Sequence, residues 1–328
     1  MEAILTLAAQ NLLSPVILCF ALGLAAALAR SDLSFPEAIA KGMSLYLLFA
    51  IGFKGGASVA AHGVDVGLAL AVAAGVALSF ALPFVAFALL RTLAPRTSVL
   101  DAAAVAGHYG SISIVTFVAM GAMLTAQGIE AEGYMIAVAA AMEAPAIVSA
   151  LWLVARKGGD TGAQVGGELW REILLNGSIV LLLGAFAIGL ISGERGLAEV
   201  APFIVSPFKG VLCLFLLDMG LIAGRGLRGA RGVLTPGVVA FGLLMPLIGA
   251  GTGLAAAAML GLSVGGVATL MTLAASASYI AVPAAMRVAL PRANPALYLT
   301  LSLGITFPFN LVLGLPLYVA VAQAIAGG

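Results

Sequence analysis

The stretch that decides the fold runs from Ala274 to Tyr298 and reads AASASYIAVPAAMRVALPRANPALY. It is apolar enough to lie in a bilayer, but Ser276, Ser278 and Pro283 interrupt it where an unbroken membrane helix would carry leucine. An unpaired backbone polar group in hydrocarbon costs several kcal/mol, so an interrupted membrane helix persists only beside a cavity or inside protein. In secondary transporters such interruptions mark the substrate site and occur at matching positions of two structural repeats.

A second interrupted stretch, Gly107–Thr116, lies in the first half of the chain and reads GHYGSISIVT. The two stretches correspond when His108 is aligned with Ala275. We therefore predict that the fourth and ninth apolar segments are broken, near Ser111–Ser113 and Ser278–Pro283, and that they cross near the middle of the bilayer. Each break would expose the positive end of a half-helix, and such ends bind anions.

The composition places the whole chain in a membrane. Of its 328 residues 62% are hydrophobic and 9% are charged, with a mean hydropathy of +1.17, whereas soluble domains carry about 25% charged residues. The net charge of +1 gives no reason to expect a nucleic-acid partner. Cys19 and Cys213 fall in apolar runs, so we expect no disulfide, no resident metal and no cofactor besides a coupling ion. The start, MEAILTLAAQN, has no basic region or cleavage site, so we expect no cleavable signal peptide.

Ten apolar segments each approach or exceed the ~20 residues that span a bilayer. They are 12–29, 35–53, 64–90, 101–125, 133–155, 173–192, 202–222, 236–260, 265–289 and 296–323.

The two halves of the chain repeat each other. Lys41-Gly42 followed by MSLYLLFAIG aligns with Lys209-Gly210 followed by VLCLFLLDMG. Further along, Glu143 aligns with Asn310. The offset between matched positions of the two halves varies by no more than two residues. Five segments per half is an odd number, so the second half must be inserted upside down. The sequence thus predicts an all-α polytopic membrane protein of ten helices. It predicts one five-helix inverted repeat in 1–157, a short cytoplasmic linker in 158–172 and a second repeat in 173–328.

The positive charges predict the orientation, because cytoplasmic loops are enriched in Lys and Arg. One set of alternate connections carries Lys54 and Arg195, with Glu130 and Glu132 in an acidic loop. The other set of connections carries eleven positively charged residues: Arg30, Arg91, Arg96, Arg156, Lys157, Arg171, Arg225, Arg228, Arg231, Arg287 and Arg292. We expect the second set to face the cytoplasm, with both termini periplasmic and the chain in the inner (plasma) membrane.

Small polar residues of the two interrupted stretches are the candidates for the substrate site. Serine and threonine cap the exposed second halves of broken helices. The ordinary alternative is that small residues let helices pack closely while their hydroxyls bond to the carbonyl four residues back. The candidates are Gly110, Ser111, Ser113, Thr116, Ser276, Ser278, Tyr279 and Pro283.

Four further residues are candidates for binding a cation. Glu143 lies inside the fifth segment, where a carboxylate is costly and by default functional. Oxygen ligands suit a hard cation such as sodium, and Asn310 occupies the equivalent position of the second half. The alternative is a protonated Glu143 in a helix–helix hydrogen bond. Asp218 is either a further ligand or a solvated residue near the cytoplasmic end of its segment. His108 is either a proton carrier or a neutral packing ring.

These residues match the pattern of a known family. The run A-S-x-S-x-I-x-x-P-x-x-x-R, then P-x-A-N-P-x-x-Y, spans Ala275 to Tyr298 and resembles the sodium-dependent bicarbonate transporters (SbtA-like permeases). The resemblance covers nearly the whole chain. Its other parts are Ile51-Gly52 with Gly55-Gly56, the fourth segment with Ser113 and Thr116, and Met142-Glu143-Ala144-Pro145-Ala146.

The resemblance implies a function and several partners. It implies sodium-coupled uptake of bicarbonate where the fourth and ninth segments cross, a core domain that moves against a gate domain, and a homotrimer. It also implies a PII-like regulatory partner, although the central cytoplasmic loop here is cut to about fifteen residues. Where bicarbonate transporters read S-S-S-D-I-S-G-P, this chain reads SASYIAVP from Ser276 to Pro283, so another small anion stays open.

Other classes of function fit less well. A cation/proton antiporter or a sodium/organic-anion symporter on the same architecture remains an alternative, because Glu143 and His108 would suit either. An intramembrane hydrolase would need paired aspartates, a zinc motif or a serine paired with histidine or lysine at depth, and the sequence offers no convincing set. We therefore expect a transporter and not an enzyme.

Overall fold

The structure is a computed structural model that describes residues 13–63, 66–156, 175, 177–229 and 232–327. Within these residues every regular element is a helix. In chain order they are α1 (Pro15–Leu28), α2 (Glu37–His62), α3 (Val66–Leu93), α4 (Val99–Gly110), α5 (Ile114–Ala126), α6 (Met135–Ala141), α7 (Pro145–Arg156), α8 (Gly177–Ile204), α9 (Phe208–Gly229), α10 (Pro236–Leu260), α11 (Val264–Ala275), α12 (Ala281–Ala289) and α13 (Pro295–Ala326).

Most of the predicted segments correspond to membrane-length helices. Among the described residues, eight helical spans are long and apolar enough to cross a membrane, when α4 with α5 and α6 with α7 are each counted as one span. α1 and α11 are apolar but shorter. The linker predicted at 158–172 lies outside the described residues.

In the part of the chain that the structure describes, three of the predicted segments are interrupted, and one of these breaks was not predicted. The fourth segment is broken at 111–113, as expected, and the ninth at 276–280. The ninth break thus begins at Ser276 rather than Ser278, and Pro283 lies outside it, in the first turn of α12. Proline is tolerated there because first-turn N–H groups have no partner within the helix. The unpredicted break separates α6 from α7 at 142–144 and carries Glu143.

Two pairs of helices pack through glycines that let the backbones touch. Gly52 and Gly56 of α2 lie against the backbone of α8, and Gly23 of α1 and Gly220 of α9 lie against each other's helix. A Cβ atom at any of these four positions would collide with a backbone atom of the partner helix. Close approach of small residues is the usual basis of helix association in membranes. We call α1, α2, α8 and α9 the outer bundle, and the other helices the core bundle.

A cavity of about 840 Å³ lies between the outer bundle and the core bundle. Its wall includes Lys54 of α2, Lys209 of α9, Phe117 of α5 and the loop 127–134 that follows α5. The ammonium nitrogen of Lys54 lies 5.6 Å from the ring centroid of Phe208. Of the described residues that line this cavity, none is a serine of the breaks.

Candidate functional site

The breaks of α4–α5 and α11–α12 share the same local backbone at their first residue. Ser111 ends α4 with φ −87° and ψ 175°, and Ser276 ends α11 with φ −87° and ψ 165°. Both residues are therefore extended, and both are almost fully buried.

Serine hydroxyls accept hydrogen bonds from the first turn of each second half-helix. The Ser113 hydroxyl accepts a hydrogen bond from the Thr116 N–H at 3.2 Å and another from the Thr116 hydroxyl at 2.9 Å. The Ser278 hydroxyl accepts from the Val282 N–H at 3.4 Å. Serine is a strong capping residue because its oxygen satisfies an N–H that the helix leaves unpaired. The sequence patterns of both stretches thus mark the starts of α5 and α12.

Two hydrogen bonds join the broken helices to each other, one from break to break and one from the second break to the last turn of α4. The Ser113 N–H donates to the Ser276 hydroxyl oxygen at 2.8 Å. The Ser278 N–H donates to the His108 carbonyl oxygen at 2.8 Å. Each break therefore satisfies a backbone N–H with an acceptor from the other half of the chain. The structure thus brings together four of the predicted site residues.

A comparison of the two halves by their helix bounds gives a different register on each side of the break. Ser111 and Ser276 each follow a twelve-residue helix, so on this comparison Gly110 aligns with Ala275, where the predicted register aligned His108. After the break, the first residue of α5, Ile114, corresponds to the first residue of α12, Ala281. The second break is two residues longer, 276–280 against 111–113. A gapless alignment of the halves runs across this insertion and cannot detect it.

Glu143 and Asn310 each contact the end of the first half of a broken helix. The Ser111 hydroxyl lies 3.5 Å from Glu143 Oε2, at the limit of hydrogen-bond distance. The Asn310 side-chain N–H₂ donates to the Ala275 carbonyl oxygen at 2.9 Å, and its oxygen accepts from the Tyr318 hydroxyl at 2.8 Å. The carboxylate and the amide thus occupy corresponding places, one at the end of α4 and one at the end of α11.

The backbone around Asn310 departs from α-helical geometry. Within α13, Thr300–Thr306 and Asn310–Gly314 are π-helical. Single π-helical turns inside α-helices are rare and are frequent at functional sites. Glu143 lies in a break and Asn310 in a π-helical turn, so both residues sit where the backbone is irregular.

A stripe of small residues on α3 supports the site, and sequence reasoning missed it. The Ser79 hydroxyl donates to the Met142 carbonyl oxygen at 2.6 Å, and Gly75 lies against the Met142 side chain. A Cβ atom at Gly110 would collide with Pro83. The spacing of four residues from Gly75 to Ser79 to Pro83 places all three on one helix face. That periodicity is the signal that could have identified them.

Two buried polar atoms at the breaks have no hydrogen-bond partner. In the part of the chain that the structure describes, His108 Nε2 and the Tyr279 hydroxyl are the buried side-chain N and O atoms without one. The Tyr279 hydroxyl lies near Ser113 but outside hydrogen-bond geometry. His108 is otherwise well held, since its Nδ1 lies 2.7 Å from the Ala104 carbonyl oxygen and its ring stacks on Tyr298 at 4.3 Å between centroids. An unsatisfied buried polar group calls for an explanation, and a bound ligand is one.

Asp218 is the one predicted cation ligand for which the structure gives no link to the breaks. It lies on α9, in the outer bundle, and is buried. Its main charged neighbour is Arg225 of the same helix, which donates a hydrogen bond to the Leu33 carbonyl oxygen. Within the described residues, no hydrogen bond joins Asp218 to Glu143, Asn310 or the serines of the breaks.

The groups gathered at this centre are ones that can contact a small solute or ion. It combines buried hydroxyls, half-helix ends, one carboxylate and one amide. Among the described residues, no group of three or more His, Cys, Asp or Glu side chains lies together to hold a metal ion. Two broken helices joined at a polar centre, inside a bundle of apolar helices, are typical of one class: multi-pass membrane transporters.

The comparison with protein families assigns the chain within that class. The model of the Na+-dependent bicarbonate transporter superfamily matches residues 15–323, and the chain belongs to this family. It is therefore a membrane transporter and not an enzyme. The comparison with curated proteins found no match.

Proposed function

We propose that this protein is a secondary active symporter that uses the sodium gradient to carry bicarbonate, or another small anion, into the cell. One observation carries the proposal. Two broken helices are hydrogen-bonded to each other at their breaks, and the unpaired Tyr279 hydroxyl lies in one of those breaks. Family membership supports sodium and bicarbonate as the ion and the substrate.

The anion is assigned to the starts of α5 and α12. Both half-helices begin within the joined breaks, so their positive ends converge there. Ser113 caps the start of α5, Ser278 accepts from the Val282 N–H in the first turn of α12, and the Tyr279 hydroxyl can donate a hydrogen bond to an anion. Tyr279 belongs to the longer second break, so the second half supplies a donor that the first lacks.

The sodium ion is assigned to Glu143 and its surroundings. The Glu143 carboxylate lies beside Ser111, at the C-terminal end of α4, where the helix dipole is negative. Two sources of negative potential at one buried place are unfavourable unless a cation neutralises them. Asn310 holds the corresponding place at the end of α11 without a charge. We therefore expect Glu143 to be the principal cation ligand, with Asn310 as a neutral counterpart.

We further propose ten transmembrane segments in two inverted five-helix repeats. Asp101 near the start of α4 bonds to the loop after α12, while Ser263 at the start of α11 bonds to the loop after α5. These contacts at both ends make the two broken helices antiparallel, as an inverted second repeat requires. α1 and the α11–α12 pair would complete the eight longer spans to ten.

The orientation can be tested by cysteine labelling in a Cys19→Ser/Cys213→Ser background. With both termini periplasmic, Glu130→Cys should react with an impermeant maleimide in intact cells, and Arg96→Cys should react only after permeabilisation. Both positions are exposed, so accessibility does not favour either. The charge asymmetry between the two sets of connections is the reason for the expectation. The opposite labelling pattern would show the reverse orientation, with both termini in the cytoplasm.

The function itself is tested by uptake into proteoliposomes. Labelled bicarbonate and a panel of small anions would be offered with an inward sodium gradient, with a proton gradient instead, and with neither. Accumulation that requires sodium and selects one anion supports the symporter. Sodium-dependent accumulation of an organic anion but not of bicarbonate would favour the sodium/organic-anion alternative. Sodium movement driven by an opposing proton flux, with no anion accumulated, would favour the antiporter and give His108 the coupling role. Homotrimer formation and a PII-like regulator, whose loop lies outside the described residues, stay predictions.

A further inference from the structure

Two carboxylates tie the broken helices to loops at opposite ends of the core bundle. At the start of α4, the Ser98 hydroxyl accepts from the Asp101 N–H at 3.0 Å and donates to Asp101 Oδ2 at 2.8 Å. The other oxygen, Asp101 Oδ1, accepts from the Asn294 N–H at 2.7 Å. Asn294 belongs to the connection between α12 and α13, so this carboxylate joins the two halves of the chain.

A second carboxylate does the same at the start of α11. Glu132 Oε1 accepts from the Ser263 N–H at 2.7 Å, and Glu132 Oε2 accepts from the Ser263 hydroxyl at 3.1 Å. The Ser263 hydroxyl oxygen also accepts from the Gly266 N–H at 3.1 Å, which caps the helix. Glu132 belongs to the connection between α5 and α6. We call the contact at Asp101 the first clamp and the contact at Glu132 the second clamp.

The two clamps are counterparts built from different residues. Ser98 and Ser263 cap α4 and α11 in the same register that pairs Ser111 with Ser276, and the loops lie at equivalent places in each half. The helix itself supplies the carboxylate of the first clamp, and the loop supplies that of the second. A carboxylate at a helix N-terminus is stabilised by the helix dipole in both cases.

The first residues of α11 are shaped to receive the second clamp. A Cβ atom at Gly266 would collide with the Glu132 carboxylate, and one at Gly265 would collide with the Glu130 carbonyl group. Two consecutive glycines therefore let the loop lie directly on the helix start. Glycine inside a helix costs about 1 kcal/mol relative to alanine, so this pair is expected to have a packing reason.

We propose that Asp101 and Glu132 are positioning residues that keep the two breaks in register. Each broken helix is fixed at its far end to the loop that follows the other, and at its break to the other break. If one far end is released, the crossed half-helices can slide and the bonds at Ser113 and Ser278 lose their geometry. The proposal rests on the proposed function, because the register of the breaks defines the site for anion and sodium.

The experiment measures local opening and transport on the same purified variants. Glu132→Ala should speed hydrogen–deuterium exchange of the peptide covering 274–280 by about tenfold, because a charge-assisted bond at the far end is lost. The half-saturating concentrations of sodium and anion should rise by a similar factor, with the maximal rate per folded protein nearly kept. Glu132→Gln retains an acceptor for the Ser263 N–H and should stay within about twofold of the parent.

Glu130→Ala is the matched control. Glu130 and Glu132 both line the cavity between the bundles, and Glu130 is exposed. Glu130 contacts α11 through its backbone carbonyl oxygen, 3.5 Å from the Ser263 hydroxyl, which alanine keeps, and its carboxylate makes no hydrogen bond with another described residue. It should leave both exchange and half-saturation unchanged. In the double variant Asp101→Ala/Glu132→Ala, the effects on exchange and on half-saturation should not equal the sum of the two single effects, because both clamps hold the same pair of joined breaks.

Unchanged hydrogen–deuterium exchange at 274–280 in Glu132→Ala would overturn the proposal. A variant that loses only maximal uptake rate, in proportion to its loss of folded protein and with unchanged half-saturating concentrations, would overturn it too. The exchange result does not require transport. If the parent fails to accumulate any anion with sodium, the proposed function fails, and the exchange data still decide whether the clamps hold the breaks.

Discussion

Glu143→Gln is expected to raise the sodium concentration that gives half-maximal uptake by about tenfold or more. The amide keeps the shape of the side chain but removes the charge, and interactions of a charged group contribute about 1.5–3 kcal/mol, where about 1.4 kcal/mol is a factor of ten. Folding should be maintained, because the long contact to Ser111 at 3.5 Å is compatible with either group. The measurement is the sodium dependence of initial uptake rates at matched expression.

Asp218→Asn is the comparison for Glu143→Gln. Asp218 is also a buried carboxylate, but it lies on α9 beside Arg225 and has no described bond to the breaks. Its variant should leave sodium activation close to that of the parent. Unchanged activation in Glu143→Gln would remove Glu143 from the cation site and give that role to Asp218 and Asn310. A protonated, purely packing Glu143 predicts the same unchanged value, because glutamine can still donate a hydrogen bond.

Ser276→Ala is expected to lower the uptake rate by about tenfold to a hundredfold. Its hydroxyl accepts from the Ser113 N–H at 2.8 Å and donates to the Leu273 carbonyl oxygen at 2.9 Å. Alanine leaves the Ser113 N–H buried without an acceptor, which costs about 1–3 kcal/mol. Because this bond joins the two breaks, the loss should appear in transport as well as in stability. Uptake at saturating sodium and the melting temperature would be measured together.

Ser302→Ala is the matched control for Ser276→Ala. Ser302 is equally buried, but its hydroxyl donates to the Tyr298 carbonyl oxygen of its own helix at 2.8 Å. Alanine there leaves no backbone N–H unpaired. Its uptake should therefore stay within about twofold of the parent, since bonds of this kind contribute little in helices. Equal losses in the two variants would mean that any buried serine matters, and that the bond between the breaks has no special role.

The interrupted helices could be predicted because their breaks have a local cause. Ser111 and Ser276 follow glycine- or alanine-rich helix ends. Ser113 caps the helix that follows it, and Ser278 accepts from an N–H in the first turn of α12. Capping depends on residues three or four positions apart, so it is readable from sequence. The break at Glu143 had a local signal too, because Pro145 disfavours a helical conformation at the residue before it.

The contacts between the halves could not be predicted in the same way. The bond from Ser113 to Ser276 joins positions that are far apart in the chain, and no local pattern indicates which serine accepts it. The break that contains Tyr279 is two residues longer than the other, and the predicted alignment could not show this. The offset that pairs His108 with Ala275 fits the helices after the breaks, which begin at Ile114 and Ala281, but not those before them. The clamp at Glu132 lies in a loop whose acidic residues first indicated only the outer face of the membrane. Only the packed structure identifies which of them contacts α11.

The central claim is that the joined breaks hold the transported anion, and equilibrium binding of labelled bicarbonate to purified Tyr279→Phe tests it most directly. The substitution removes a buried hydroxyl that lies near Ser113 but has no hydrogen-bond partner among the described residues, so folding should be unaffected or slightly stabilised. The account predicts sodium-dependent binding by the parent, about tenfold weaker binding by Tyr279→Phe, and parent-like binding by Tyr46→Phe, whose hydroxyl bonds to Phe203 in the outer bundle. Equal affinity of the parent and Tyr279→Phe, with or without sodium, would contradict it.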